Sequence, residues 1–464
     1  MSDRFGRRWG ISIGCMVFTV GLIIQVASER SWVQMAVGRF VVGVSVGWLS
    51  AAVPLYQSET VPRQVRGALV GTYQLFITLG ILLSYVACYS TRDRNDTGQW
   101  RIPIAVGFAY GIILGVGILL CPESPRWLAH RNCFDEMKHV LAVMRGTDEN
   151  NPYIMSEYSE IKAEVLAEKQ MKQKGYLDCF RFENKTLYRT LLGILLQSGQ
   201  QLTGANYFFY YGNTIFKNVG GIDSYIAQII LGAVNTGTTF PGLWALDHFG
   251  RRNCLLVGAA WMTIWLIVFA TAGITNSSQY TTPDGSIDTE IDTYGISILM
   301  IVSACMFILA FASTWGPGVW SAIAEFSAPE TRAKQFAMAT MANWTWNFCI
   351  GFFTPKITDA ISFNYGYVFM GCCIFNFLVV FFFVYETANL SLESINDMYL
   401  DPHVNAITSA KWIPPGYETR TGAQRDPVQA AKQVGGGVGG IPGDENIKEH
   451  VPNGDNGYAL EGTL

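Results

Sequence analysis

The chain has 464 residues, of which 15% are charged, 50% hydrophobic and 13% aromatic. Ordinary soluble domains carry about 25% charge, so this composition excludes a soluble enzyme. A net charge of −4 offers no basic surface to a nucleic acid, and the charged run just after Met1 does not read as a cleavable leader.

A bilayer is crossed by about 20 apolar residues in a helix. Such spans are expected at 10–28, 34–55, 68–90, 102–121, 188–211, 225–246, 253–273, 295–324, 336–360 and 365–385. Cys15, Cys88, Cys254, Cys305, Cys349, Cys372 and Cys373 fall inside them, and with no CxxC pair they read as small buried hydrophobes. The fold class expected is all-α, a polytopic membrane protein. Four spans make an incomplete N-terminal bundle at 1–121, and a charged, helix-favouring loop follows at 122–187, with a polar surface helix at 156–174. A six-helix bundle at 188–386 precedes a tail at 387–464, rich in Gly, Pro and Asn from about 400 and expected to be mostly disordered.

Cytoplasmic loops of membrane proteins are enriched in Lys and Arg. With the N-terminus placed inside, the inner segments hold 24 of the 32 Lys and Arg and the outer loops 5, while Arg39, Arg189 and Lys356 lie within the span bounds. Both termini are therefore expected in the cytoplasm, and the plasma membrane is the expected location. Asn95-Asp96-Thr97 and Asn276-Ser277-Ser278 are glycosylation sequons in outer loops. Asn184-Lys185-Thr186 and Asn389-Leu390-Ser391 fit the same pattern on the inner side, so chance matches compete with glycosylation.

The sequence repeats itself. Asp3-Arg4-Phe5-Gly6-Arg7-Arg8 recurs as Asp247-His248-Phe249-Gly250-Arg251-Arg252. Glu59 and Arg66 recur as Glu325 and Arg332, and Glu123 has a looser echo in Glu386. Parallel repeats of this kind are a known transporter plan. The second copy has two spans before Asp247, but the first has two residues before Asp3. The expectation is ten spans of a twelve-span design, with the first two helices lacking and transport by this chain poor or absent.

The ordered set DRFGRR, GRFVVG at 38–43, PLYQSETVPRQVRG at 54–67, PESPRWL at 122–128 and QQLTGANYFFYYG at 200–212 resembles the sugar porter family of the major facilitator superfamily, and fungal hexose transporters in particular. The resemblance runs over roughly 1–400 and implies the superfamily fold, with two helical bundles around a central sugar site, alternating access and a cytoplasmic helical loop. His248 departs from the usual Arg, and Ala388-Asn389 from the usual Lys-Gly.

A hexose is neutral, and its hydroxyls both donate and accept, as amides do. Gln197, Gln200 and Gln201 share one helix face. Asn206 would lie ~140° from Gln201 on an ideal helix, so a common cavity requires a distortion near Thr203-Gly204. The competing role for these amides is interhelical glue. By resemblance, Gln74, Gln200, Gln201, Asn206, Asn235, Asn343 and Trp320 match sugar-contacting positions, with Asn347 equally readable as structural. Gly316 and Pro317 should break their span locally, and by resemblance the broken helix acts as a gate. Tyr210 and Tyr211 are candidate gate residues, with aromatic packing the alternative. Arg39 is a basic residue inside a span, a costly placement that is usually paired or functional. By resemblance to proton-coupled relatives it is the candidate for proton coupling, with a structural ion pair as the alternative.

Asp3, Arg7, Arg8, Glu59, Arg66, Glu123, Asp247, Arg251, Arg252, Glu325 and Arg332 should form ion-pair networks at the cytoplasmic helix ends. His130, His139, His248, His403 and His450 show no ligand or triad spacing, so no enzyme, metal or cofactor is expected. The function expected is monosaccharide transport, of glucose or a related hexose, either facilitative or proton-coupled. The partners are then the sugar, the lipid bilayer and, in the coupled mode, protons, with no nucleic acid. A sugar sensor of the same fold and an inactive truncated transporter are the alternatives.

Overall fold

A computed structural model describes residues 6–29, 31–61, 66–170, 175–217, 223–279, 293–328, 330–388, 390, 392–415 and 420. Asp3, the side chains of Arg66, Asp247 and Asn276, and the glycine-rich stretch at 435–443 lie outside the described residues.

The first group of helices is α1 (Arg7–Val26), α2 (Trp32–Thr60), α3 (Arg66–Thr91) and α4 (Gly98–Leu120). Ser31 starts α2 by accepting from the Gln34 N–H at 3.3 Å, and Pro54 is held inside the helix. α1 packs on α2 and α4. In an apolar surround this packing is assisted by short hydroxyl bonds: Ser45 donates to the Gly14 carbonyl at 2.7 Å and Ser12 to that of Gly115 at 3.1 Å.

The connecting segment forms α5 (Pro125–His130), α6 (Phe134–Arg145) and α7 (Pro152–Gln170). Its polar sequence hides a narrow apolar stripe: Leu128, Met137, Leu141, Ile154, Ile161 and Val165 bury against one another. Gly146, at φ +64°, closes α6.

The second group is α8 (Thr186–Leu202), α9 (Ala205–Lys217), α10 (Ser224–Phe249), α11 (Arg251–Gln279), α12 (Thr293–Ala310), α13 (Gly316–Phe326), α14 (Arg332–Ile361) and α15 (Tyr365–Phe383). A buried aromatic core including Phe208, Phe269, Phe307, Trp315 and Phe369 fills it. α16 (Leu392–Leu400) and a turn at Ser409–Lys411 follow, within the segment read as tail. Tyr385 stacks on Tyr399 at 4.4 Å between centroids, and its hydroxyl donates to the Val404 carbonyl. The two groups meet chiefly where α3 packs on α10.

Eight segments of the described chain are long and apolar enough to cross a membrane, and the last, Arg332–Phe383, holds both α14 and α15. The continuous span expected at 188–211 is two shorter helices of 17 and 13 residues. Gly204 separates them at φ +91°, a conformation costly for any side chain. The span expected at 295–324 is also interrupted, by a π-helical turn at Phe311–Trp315.

Candidate substrate site

The amides of α8 are not dispersed. Asn343 on α14 donates to the side-chain oxygens of Gln197 at 2.6 Å and Gln200 at 2.8 Å, and accepts from Gln201 at 2.9 Å. Gln201 in turn accepts from Asn206, which the break at Gly204 swings round from its ideal helical direction. Each polar group left unbonded in an apolar interior costs about 1–3 kcal/mol. The cluster satisfies its own amides and stays neutral.

Gln200 also donates to the carbonyls of Trp315 and Gly316, both at 2.9 Å. Those carbonyls lie where the π-helical turn meets the Gly-Pro start of α13 and the regular ladder is disturbed. The Trp315 indole is fully buried and donates to the Leu255 carbonyl, which holds the break against α11. Gln74 of the first group comes to the same place: a Cβ on Gly316 would sit 3.4 Å from its amide nitrogen.

The remaining candidates are placed differently. Asn235, 1% exposed on α10, has a side-chain oxygen with no hydrogen-bond partner. Trp320 packs on Phe336, with centroids 5.7 Å apart. Tyr210 and Asn347 bond to each other, and Tyr211 donates to the Gly351 carbonyl at 2.5 Å, so both tyrosines tie α9 to α14. Arg39 stands apart, exposed on α2, with no hydrogen bond or ion pair among the described residues.

The charged motifs form two matching networks. In the first group, Arg7 grips Glu59 through two nitrogens, at 3.0 and 3.1 Å, and Glu123 accepts from the backbone N–H groups of Arg7 and Arg8. In the second, Arg251 pairs with Glu325 at 3.0 Å, and Glu386 accepts from the N–H groups of Arg251 and Arg252. A carboxylate is favoured at a helix N-terminus, where free N–H groups point outward. Gly6 and Gly250 both have positive φ, and each presses its backbone on the carboxylate that caps its helix. Every one of these pairs lies within a single group.

Sequence reasoning missed several members. Ser124 and Thr387 each donate a hydroxyl to the network glutamate, Glu59 or Glu325. Both directly follow a repeated Glu, so aligning the weakest repeat would have found them. Gln335 bonds Thr190 and the Thr186 and Ala328 backbones, and Asn376 donates to the Gly199 carbonyl at 2.8 Å. These two are lone amides in apolar spans and carry no motif.

The model of the family described as "Sugar (and other) transporter" matches residues 1–399. "Hexose transporter 2" of Kluyveromyces lactis is 43% identical over 414 residues, 89% of this chain and 72% of that one. "Putative hexose transporter 12" of Saccharomyces cerevisiae is 41% identical over 421 residues, 91% of each chain. Among solved structures, the "MFS (major facilitator superfamily) proton:xylose symporter XylE bound to 6-bromo-6-deoxy-D-glucose" superposes at a TM-score of 0.68, with 24% identity over 86% of this chain and 84% of that one. The "inward open conformation of the xylose transporter XylE from E. coli" gives 0.67 with the same identity and coverage.

Proposed function

The chain belongs to the sugar transporter family, with the major facilitator superfamily fold, and on that premise we propose that it carries a hexose across a membrane by alternating access. It is a multi-pass membrane protein and a transporter, not an enzyme.

The observation that carries the reading is the neutral amide cluster of Gln197, Gln200, Gln201, Asn206 and Asn343. An amide that donates to another amide can donate to a sugar hydroxyl at little net cost, because one bond replaces another. Each bond in the exchange is worth about 1 kcal/mol net, and what is formed largely offsets what is broken, so the sugar is held only weakly. That suits a carrier, which must release its cargo. A carboxylate in their place would hold water or cations too well.

In this reading Gln74, Gln200, Gln201, Asn206, Asn235 and Asn343 hold the hydroxyls, and Trp320 offers its ring to the apolar face of the sugar. Asn235 supports this with an oxygen that has no partner. Gly316 and Pro317 form the hinge, and Tyr210 and Tyr211 gate the path. The breaks at Gly204 and Gly316 support the hinge, because the cluster spans both.

The Arg-Glu networks keep each group of helices stiff while the groups rock against each other. We place their end in the cytoplasm, by the distribution of Lys and Arg, and the protein in the plasma membrane. Ten spans follow if α8 with α9, and α14 and α15 separately, each cross the bilayer. Arg39, charged and exposed on a span, is the candidate for coupling to protons.

Uptake of labelled glucose into a cell stripped of its own hexose carriers tests the proposal. Saturable uptake competed by other hexoses is expected. Absence of uptake, with the chain folded at the cell surface, overturns it.

A further inference from the structure

Lys185 is a cation set beside a like charge, Arg189. It lies half-buried just before α8, and makes no hydrogen bond or ion pair among the described residues. Its ammonium sits 5.8 Å from the centre of the Tyr385 ring. Burial pulls it below the usual lysine range, with Arg189 adding like-charge repulsion and Asp401 acting weakly the other way. Arg189 is engaged with Asn396, and Asp401 accepts from the Trp412 indole and the His403 N–H.

Lys185 faces a cleft of about 560 Å³, lined also by Tyr188, Phe382, Phe383, Asn405 and Ile407. Tyr188 fixes one wall by donating to the Phe383 carbonyl at 2.6 Å. The mouth is apolar: Phe382 is 56% exposed, Phe383 47% and Ile407 57%. Phe382 and Phe383 end α15, and Lys185 immediately precedes α8, so the cleft lies where two spans leave the membrane. Three residues before Lys185, Phe182 is 87% exposed. Exposed rings beside a cation at a span's end are the composition of a membrane interface.

We propose that this cleft binds a glycerophospholipid with an anionic headgroup. The phosphate pairs with Lys185, the Asn405 amide bonds the headgroup, and an acyl chain lies along Phe382, Phe383 and Ile407. The choice of lipid follows from the shape of the site, a desolvated cation at the headgroup level and an apolar slot on the membrane side. A free anion would use only the first. Basic pockets between membrane helices bind anionic headgroups on the same physical grounds.

The purified full chain in detergent is titrated with phosphatidylserine or phosphatidylcholine, and its thermal midpoint is followed. Inorganic phosphate and glycerophosphoserine are titrated in parallel. Phosphatidylserine should half-saturate at about fivefold lower concentration than phosphatidylcholine, the advantage of one lysine near a headgroup. Lys185→Gln should bring that ratio to about one, and Lys185→Arg should keep it. Ile407→Ser should weaken both lipids and leave their ratio unchanged. The proposal is overturned if the native chain does not distinguish the lipids, if Lys185→Gln preserves the ratio, if Ile407→Ser alters it, or if either chain-free anion reproduces the full shift.

Discussion

Arg92, just past α3, pairs with Asp223, which opens α10, and so joins the two helical groups at the end opposite the Arg-Glu networks. Asp223 has a second task there, since its other oxygen caps α10 by accepting from the Tyr225 N–H at 3.0 Å. The two tasks can be separated. Asp223→Asn keeps a side-chain acceptor for the cap and removes the charge. A partly exposed pair of this kind is weak, so the substitution should shift the closed-to-open balance at this end by only a few-fold. Hydrogen exchange in residues 92–99 and 223–228 should speed up accordingly. High salt should produce the same change in the native chain and none in the variant.

The two networks look alike but should respond unequally. The Arg7 and Glu59 side chains are each 9% exposed, against 15% and 20% for Arg251 and Glu325. Removing one partner of a buried pair strands the other charge. Arg7→Ala should cost about 3 kcal/mol and Arg251→Ala somewhat less, since its pair is slightly more exposed. Thermal unfolding in detergent reads the difference, and equal losses would contradict this ordering. Arg7→Lys should recover only part, because an ammonium cannot reproduce the two-nitrogen grip.

Asn343 is the hub of the amide cluster. Asn343→Ala leaves Gln197, Gln200 and Gln201 without three of their bonds, which should cost about 2–4 kcal/mol. Hexose uptake should fall at least tenfold through a raised KM. Asn343→Asp keeps the size and adds charge to a buried position 4% exposed. It should abolish uptake near neutral pH, because an ionised carboxylate donates no bond and a protonated one donates only one of the two that Gln197 and Gln200 accept. Retained uptake in Asn343→Asp would remove the argument for a neutral site.

Much of this site was legible because helical periodicity is strict. Gln197, Gln200 and Gln201 had to share a face, and Asn206 could join them only through a break, which Gly204 supplies at φ +91°. What periodicity cannot give is the partner. Asn343 and Asn347 share a face of α14, yet Asn343 meets α8 and Asn347 meets Tyr210 on α9. That division depends on how α14 crosses the broken pair, a tertiary fact. Glu386 was only faintly visible because Ala388 and Asn389 dilute the motif around it, while its bond to two N–H groups is set by the backbone of Gly250. Gln335 and Asn376 were invisible, because a lone amide in an apolar span does not reveal which carbonyl it meets. Most of the apolar spans read well, since length and hydropathy decide them, but the one expected at 188–211 is two short helices and eight segments of the described chain are long and apolar enough to cross. The stripe on α7 was hidden because Ile154, Ile161 and Val165 are spaced among charged residues.

Gly204→Ala tests the break itself. A Cβ there would sit 2.6 Å from the ring of Phe369 and would have to adopt a left-handed backbone. The backbone alone costs about 1–2 kcal/mol, and the clash adds to it. Phe369→Leu relieves the clash but not the backbone. The double variant should therefore be more stable than the sum of the singles and still below the native chain. Full recovery in thermal unfolding would show that sterics, not the left-handed turn, make glycine necessary.

Arg145 anchors the connecting helices to the first group. It grips Glu157 on α7 at 2.7 and 3.1 Å and donates to the Thr60 carbonyl at the end of α2 at 3.2 Å. Both ionic side chains are largely buried, so Arg145→Ala leaves Glu157 without its partner and frees α7 from α2. A loss of about 1.4 kcal/mol locally corresponds to tenfold faster hydrogen exchange. That acceleration should appear across Pro152–Gln170 and leave the amides of α8 unchanged, because the core of Leu128, Met137 and Ile161 is separate from that of the second group. Acceleration spreading into α8 would mean that the connecting helices and the second group unfold together. Arg145 would then be a strut for the whole chain and not a local anchor.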